Sequence, residues 1–304
     1  TPAAPIVFTS STPDTRPLED RPGDFHGIRV VDGDLTLRYF DISYAESGIT
    51  FEDSDNRFSI YDIGDGRIRN SWAVGLLVSG RGENAQPIPL STITVTDTSS
   101  GGLVESRIRG DGLHAFGPID LNGISILDNS GDGIEFREKS SGFLNNVHLI
   151  GNGEDGIFVD GPVTLNITNS VIALGGEDGI EVDCCDSTVT IADSLILENG
   201  SNPAQDNGID FDDGNLSVLR TAVAHNPRWG IVYDGDGSFV LRDSAVTDNQ
   251  FGLFLGTSGI EVTVVDNVIS GHTGTGLILD LSTNSSLSEE GISGNIITRN
   301  NSGI

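Results

Sequence analysis

Asp155-Gly156-Ile157-Phe158-Val159-Asp160, Asp178-Gly179-Ile180-Glu181-Val182-Asp183, Asn207-Gly208-Ile209-Asp210-Phe211-Asp212 and Trp229-Gly230-Ile231-Val232-Tyr233-Asp234 are four versions of one phrase, with their glycines 23, 29 and 22 residues apart. Gly133-Ile134 precedes the series, and Gly252-Leu253 and Gly276-Leu277 continue it. A period in the twenties, built from short β-type runs without helical spacing, predicts a solenoid in which each turn buries its apolar face only by stacking on the next.

Within a turn the pattern divides into three runs. After the glycine, Ile180 and Val182 alternate with Glu181 and Asp183, so the first pair faces inward and the second outward. A second alternating run follows (Val163 to Ile167, Val189 to Ile191, Phe239 to Leu241). A third comes after a polar pair, as in Asn169-Ser170-Val171-Ile172 and Asp266-Asn267-Val268-Ile269. Three strands and three corners per turn make a triangular coil. Gly175, Asn199, Asn226, Asn249 and Asn300 close their turns and are expected to hold the left-handed backbone of a corner.

The repeated Gly-Ile-x-apolar-Asp phrase, with Asn-Ser-x-apolar and Asn corners, resembles the right-handed parallel β-helix repeat of the pectate-lyase-like superfamily from about Phe25 to the C-terminus. Pro5 to Ser10, Pro22 to Ile28 and Leu37 to Tyr44 resemble the leading coils of secreted bacterial β-helix proteins. The resemblance implies an all-β, single right-handed parallel β-helix placed outside the cytoplasm. It implies no single activity, because the superfamily holds lyases, hydrolases, epimerases, depolymerases and plain surface proteins.

A repeat array grows along one axis, so 304 residues are read as one domain of about 11–12 coils, each of about 22–29 residues. Residues 1–24 form an irregular first coil, 25–132 longer and less regular coils, and 133–304 regular ones. Gly80 to Pro89 and Ser282 to Glu290 read as excursions, and Leu103 to Ile126 as a rung of displaced register. The 36% hydrophobic content and 40 glycines suit a narrow core with many turns and exclude a helix-rich enzyme.

The net charge is −29, from 45 acidic and 16 basic residues, and Lys139 is the sole lysine. Such a surface repels nucleic acid and anionic membranes, and no apolar run approaches the ~20 residues of a membrane span. Cys184 and Cys185 are adjacent, a spacing that disfavours a mutual bridge; they read as two small turn residues.

The outward positions of the first run stack at about 4.8 Å from turn to turn. That places Asp160, Asp183, Asp212 and Asp234 in one column and Glu181 with Asp210 in the next. Carboxylates so close need a partner. One reading is a calcium face, since calcium takes several carboxylate oxygens; no cofactor is otherwise required. The other is a glycosidase-like pair led by Asp183 and Asp212. Arg137 is the nearest base by register, whereas His114, His148, His225 and His272 fall on different turns and read as surface or corner residues. Phe158, Phe254, Trp72 and Trp229 read as packing residues that could also stack sugars.

Ile6, Val7 and Phe8 at one end and Ile296, Ile297 and Ile304 at the other read as uncapped strand edges, which would add head to tail into filaments. The sequence is therefore read as a secreted or cell-surface structural or adhesive solenoid, its partners being further copies of itself or a surface polysaccharide. The alternative is a carbohydrate-active enzyme (lyase, hydrolase or epimerase).

Overall fold

The computed structural model describes residues 5–9, 25–31, 33–52, 61–79, 86–99, 110–137, 140–183, 186–257, 261–281 and 285–303. These residues form parallel strands and no helix. Eleven strands, from Ile28–Val31 to Leu277–Leu281, make the first sheet, and each pairs with the strand one turn on. The other strands form two further columns, joined where Tyr61–Arg69 and Ile88–Thr96 run through the corner between them. About ten turns of about 24 residues result, three strands to the turn.

The inward positions stack like on like. Ile134, Ile157, Ile180, Ile209 and Ile231 form one fully buried row, in register from strand to strand. Phe211 and Tyr233 stack in the next row at 5.6 Å, and the Tyr233 hydroxyl donates to Gly214 O at 2.6 Å. Burying one such side chain contributes about 1.5–3 kcal/mol, and a turn supplies several from its three sides. Truncating Ile180 to Ala would cost ~2–5 kcal/mol.

Close approach explains the glycine of the repeat. A Cβ on Gly156 would lie 2.5 Å from Gly179 O and 2.3 Å from Ile172 Cγ2, and one on Gly179 would lie 2.5 Å from Gly208 O. The glycine therefore faces the core beside the isoleucine that follows it. Alternation breaks there, and the residue before the glycine turns to the outer side.

The corners differ from the sequence expectation by one residue. The left-handed residues are Leu174, Glu198, His225, Asp248 and Arg299, each one position before the expected Gly or Asn. The asparagines instead turn inward and hold the coil together. Asn226 Oδ1 accepts from Asn199 N–H at 3.0 Å, Asn249 Oδ1 from Asn226 N–H at 2.8 Å, and Asn300 Oδ1 from His272 N–H at 3.1 Å. His272 occupies one place in this ladder: its Nδ1 accepts from Asn249 N–H at 3.2 Å, and its Nε2 donates to Val246 O at 3.1 Å. It is thus a corner residue, as expected.

Three other expectations change. Asp111–Ala115 is a rung in ordinary register, with Leu113 opposite both Leu76 and Ile134. The predicted 80–89 excursion ends before the strand that starts at Ile88, and residues 286–293 form a strand with a register shift against Glu261–Val265. Residues 1–4, 10–24, 80–85, 101–109, 184–185, 282–284 and 304 lie outside the described set, and with them the first-coil reading apart from its strand Ile6–Thr9, the cysteine pair and Ile304.

Candidate functional site

The outer face of the first sheet carries a groove of about 440 Å³ over the turns from Asp111 to Glu181. Its lining comprises eight acids (Asp111, Asp132, Glu135, Glu154, Asp155, Asp160, Glu177, Glu181), Arg137 and Phe158.

The buried part is a ladder of aspartates at the position before the repeat glycine. Asp132 N–H donates to Asp111 Oδ1 at 3.1 Å, Asp155 N–H to Asp132 Oδ1 at 2.9 Å, and Asp178 N–H to Asp155 Oδ1 at 2.7 Å. Asn207 N–H donates to Asp178 Oδ1, and Trp229 N–H to Asn207 Oδ1 at 3.3 Å. Each side chain thereby satisfies a backbone donor at the corner of the next turn.

One oxygen of each carboxyl makes this bond, while burial and like charge act on the group as a whole. Burial, and then Asp132 and Glu181, push Asp155 up to about 11. Burial also pushes Asp178 up to about 8, with Asp210 and Glu181 adding to it. Asp132 is carried well above the usual carboxylate range by burial and by Asp111. Glu181, the outward residue of its strand, is raised by burial, although a hydrogen bond with Asp155 opposes the rise. Burial and the neighbouring acids thus drive the Asp155–Glu181 pair towards its protonated form.

At the lower end the balance reverses. His114 is fully buried, and its Nδ1 contacts Asp111 Oδ2 at 3.1 Å and Glu135 Oε2. Arg137 bridges Glu135 and Asp160, with its guanidinium 5.2 Å from the Phe158 ring centre. Burial opposes charge on both His114 and Glu135. Contacts with Asp111 and Glu135 nevertheless raise His114, and contacts with His114, then Asp111 and Arg137, hold Glu135 below the ordinary range. Asp111 is pushed up to about 6, by burial first. Two carboxyls of one column, Glu135 and Glu181, flank Phe158 on adjacent strands, and their protonation states are driven apart.

The acidic residues named from the sequence lie on strands of this sheet or one residue past their ends. Asp160 and Glu181 line the groove, Asp210 lies opposite Glu181, and Asn207 Nδ2 donates to Asp210 Oδ2 at 2.8 Å. Asp183, Asp212 and Asp234 are exposed beyond it, and burial, Asp183 and Asp234 raise Asp212. Ile6, Val7 and Ile296 are exposed on terminal strands, whereas Phe8 and Ile297 pack partly against the core. Trp229 stacks on Phe251 at 4.6 Å and meets Phe254 at 5.6 Å on the same face.

His114 departs from the sequence reading: it is a buried member of the groove network, not a surface or corner residue. Sequence reasoning also passed over Asp111, Asp132, Asp155, Asp178 and Glu135. The available signal was the recurrence of Asp before glycine, whose outward turn depends on the break in alternation at that glycine.

The fold and face define a three-sided parallel β-helix with a polar groove on one sheet. The chain belongs to the right-handed β-helix region family, whose model matches residues 26–217, and a second model, the periplasmic copper-binding protein (NosD) family, matches residues 192–304. No curated protein sequence matches the chain. Among solved structures, the A-module of Azotobacter vinelandii mannuronan C-5 epimerase AlgE6 is 14% identical, with 90% of this chain and 91% of that one covered and a TM-score of 0.48. The AlgE4 A-module from the same organism is 12% identical over 91% and 86%, with a TM-score of 0.46. The Agl-KA catalytic domain is 11% identical over 86% and 62%, with a TM-score of 0.38. No helix among the described residues is long and apolar enough to cross a membrane.

Proposed function

We propose that the protein is a carbohydrate-active enzyme whose acid–base chemistry takes place in the groove between Glu135 and Glu181. One observation carries this reading: two carboxyls of one column lie on either side of Phe158 in one groove in opposite surroundings, Glu135 against His114 and Arg137, which lower it, and Glu181 beside buried Asp155, where burial raises it. Titratable groups pushed apart by their surroundings mark an acid and a base. Their strands lie two spacings apart, about 10 Å, with Phe158 on the strand between them. His114 and Arg137 act as positioning residues for Glu135.

Placement outside the cytoplasm is supported by the match to a periplasmic family over residues 192–304. Calcium is the second partner we infer for this face, on a specific arrangement: Asp155, Asp178 and Glu181 could each bring one oxygen within 4.8 Å of the others. There it would compete with the protons the groove holds.

The test is turnover of a polysaccharide panel by the wild type, Glu135→Gln and Glu181→Gln. Loss of turnover in both variants, at unchanged melting temperature for Glu181→Gln, supports the reading. A wild type inert on every polymer, or variants as active as wild type, would end it.

A further inference from the structure

We infer that Trp229, Phe251 and Phe254 form a platform that holds a glycan chain beyond the groove, packing against the apolar C–H faces of its sugar rings; the identity of this occupant rests on the carbohydrate reading above. The position of the rings carries the inference. The row that runs Glu135, Phe158, Glu181, Asp210 continues in register to Val232, Phe254 and Ile278. The ladder before the repeat glycine likewise passes from Asp178 through Asn207 to Trp229, which pairs with Phe251. Two rows that carry acids in the groove therefore carry rings further along the same outer face. Trp229 lies two strand spacings from Glu181, about 10 Å, and Phe254 three, about 14 Å. A linear polymer lying across the strands meets the acids and the rings in turn.

The rings lie outside the core, whose inward positions on the same two strands are Ile231, Tyr233, Leu253 and Leu255, all fully buried. Trp229, Phe251 and Phe254 are half-buried, and the Trp229 ring centre lies 4.6 Å from that of Phe251 and 5.6 Å from that of Phe254. Phe254 also leans along its strand over Gly256: a Cβ there would lie 2.7 Å from Phe254 Cε1 and 3.0 Å from Asp234 Oδ1. The glycine thus lets a ring and a carboxylate sit side by side. Asp210 lies opposite Val232 on the adjoining strand, and Arg228, next to Trp229 in the chain, donates to Gln205 O at 3.3 Å.

Charged groups around the rings select the occupant. The centre of a protein–protein interface is depleted in charge, whereas a sugar presents a C–H face to an aromatic ring and hydroxyls to the carboxylates and guanidinium beside it. The platform grips chain remote from the acids, so it favours long chains over short ones and leaves the reacting groups untouched. Such uniform binding lowers KM without changing kcat.

The experiment uses the full chain in native gels cast with glucan, mannan, galactan, polymannuronate or polygalacturonate, and in solution with oligosaccharides of the retained polymer from disaccharide to octasaccharide. Trp72→Phe leaves Trp229 as the one tryptophan, so its emission reports on the platform. Expected are retardation by one polymer, an emission shift that only the longer oligosaccharides produce, and retardation about tenfold weaker in Phe254→Leu at wild-type melting temperature. KM for the polymer should rise by the same factor, with kcat and the rate on short oligosaccharides unchanged. Retardation undiminished in both Phe254→Leu and Trp229→Leu, or an equal loss for short and long oligosaccharides, would overturn the platform. So would a concentration-dependent dimer that Phe254→Leu dissolves while no glycan is retained. Retardation with the Trp229 shift but no turnover would keep the platform and end the enzymatic reading; turnover indifferent to both substitutions would do the reverse. If no polymer is bound or turned over, both fall.

Discussion

The backbone N–H of Asp178 donates to Asp155 Oδ1 at 2.7 Å, so that one turn of the coil is tied to the next by a carboxyl that burial keeps protonated. The ladder this bond belongs to serves the fold and charges the groove at once.

Protonation of the ladder gives stability a definite pH dependence. The folded values, about 11 for Asp155 and about 8 for Asp178, lie above the ordinary 3.8. The folded chain therefore binds more protons than the unfolded one, and stability is full below the ordinary value and lost as pH rises through the folded ones. Asp155→Asn keeps an acceptor for Asp178 N–H and removes the titration. Chemical unfolding from pH 5 to 9 should show a falling stability in wild type and a flatter profile in this variant; equal slopes would refute the assignment.

His114 and Glu135 work in the opposite sense to each other. A raised histidine contributes stability present below its ordinary value and lost as pH rises through its folded one. A lowered glutamate contributes stability present above its ordinary value and lost as pH falls. Their joint contribution peaks in the mildly acidic window between the ordinary values, 4.5 and 6.5. His114→Ala removes one of the two cationic contacts of buried Glu135, leaving it beside Asp111 with Arg137, and should cost up to ~3–5 kcal/mol there. A melting curve of this variant that matched wild type near pH 5.5 would count against the pair.

Catalysis should separate the groove from the exposed edge. Glu181→Gln is expected to lower turnover by roughly 10²–10⁴-fold, whereas Asp183→Asn and Asp212→Asn, which do not line the groove, should stay within about threefold of wild type, well short of the loss expected for an acid–base group. Steady-state rates on the best polymer decide between the two pairs.

Calcium should bind at the expense of protons. Because Asp155, Asp178 and Glu181 are raised by burial and by one another, a bound ion must displace what they hold. Calorimetry in buffers of different ionisation enthalpy should show proton release and tighter binding at higher pH, and added calcium should slow turnover. Binding without proton release would place the ion elsewhere.

At the corners, Leu174 holds φ 57 and is exposed. A side chain in that conformation costs about 1–2 kcal/mol, offset in part by the extra chain entropy of glycine. Leu174→Gly should therefore stabilise the coil by up to ~1 kcal/mol, seen as a higher melting temperature; a lower one would show that the leucine packs usefully on its neighbours.

The amino-acid sequence by itself determined the coil, because Ile157, Ile180, Ile209 and Ile231 repeat at the spacing that stacking requires and local alternation says which side faces in. It also placed Asp160, Glu181 and Asp210 on one outer face. Only the tertiary structure decided that Asp155 and Asp178 share that face, since this follows from how closely Gly156 approaches Gly179 O. Only the tertiary structure brought His114 onto Glu135, 21 residues away in the chain. Periodicity reports which residues stack, whereas protonation depends on burial and on neighbours from other turns, and those exist only once the coil has closed.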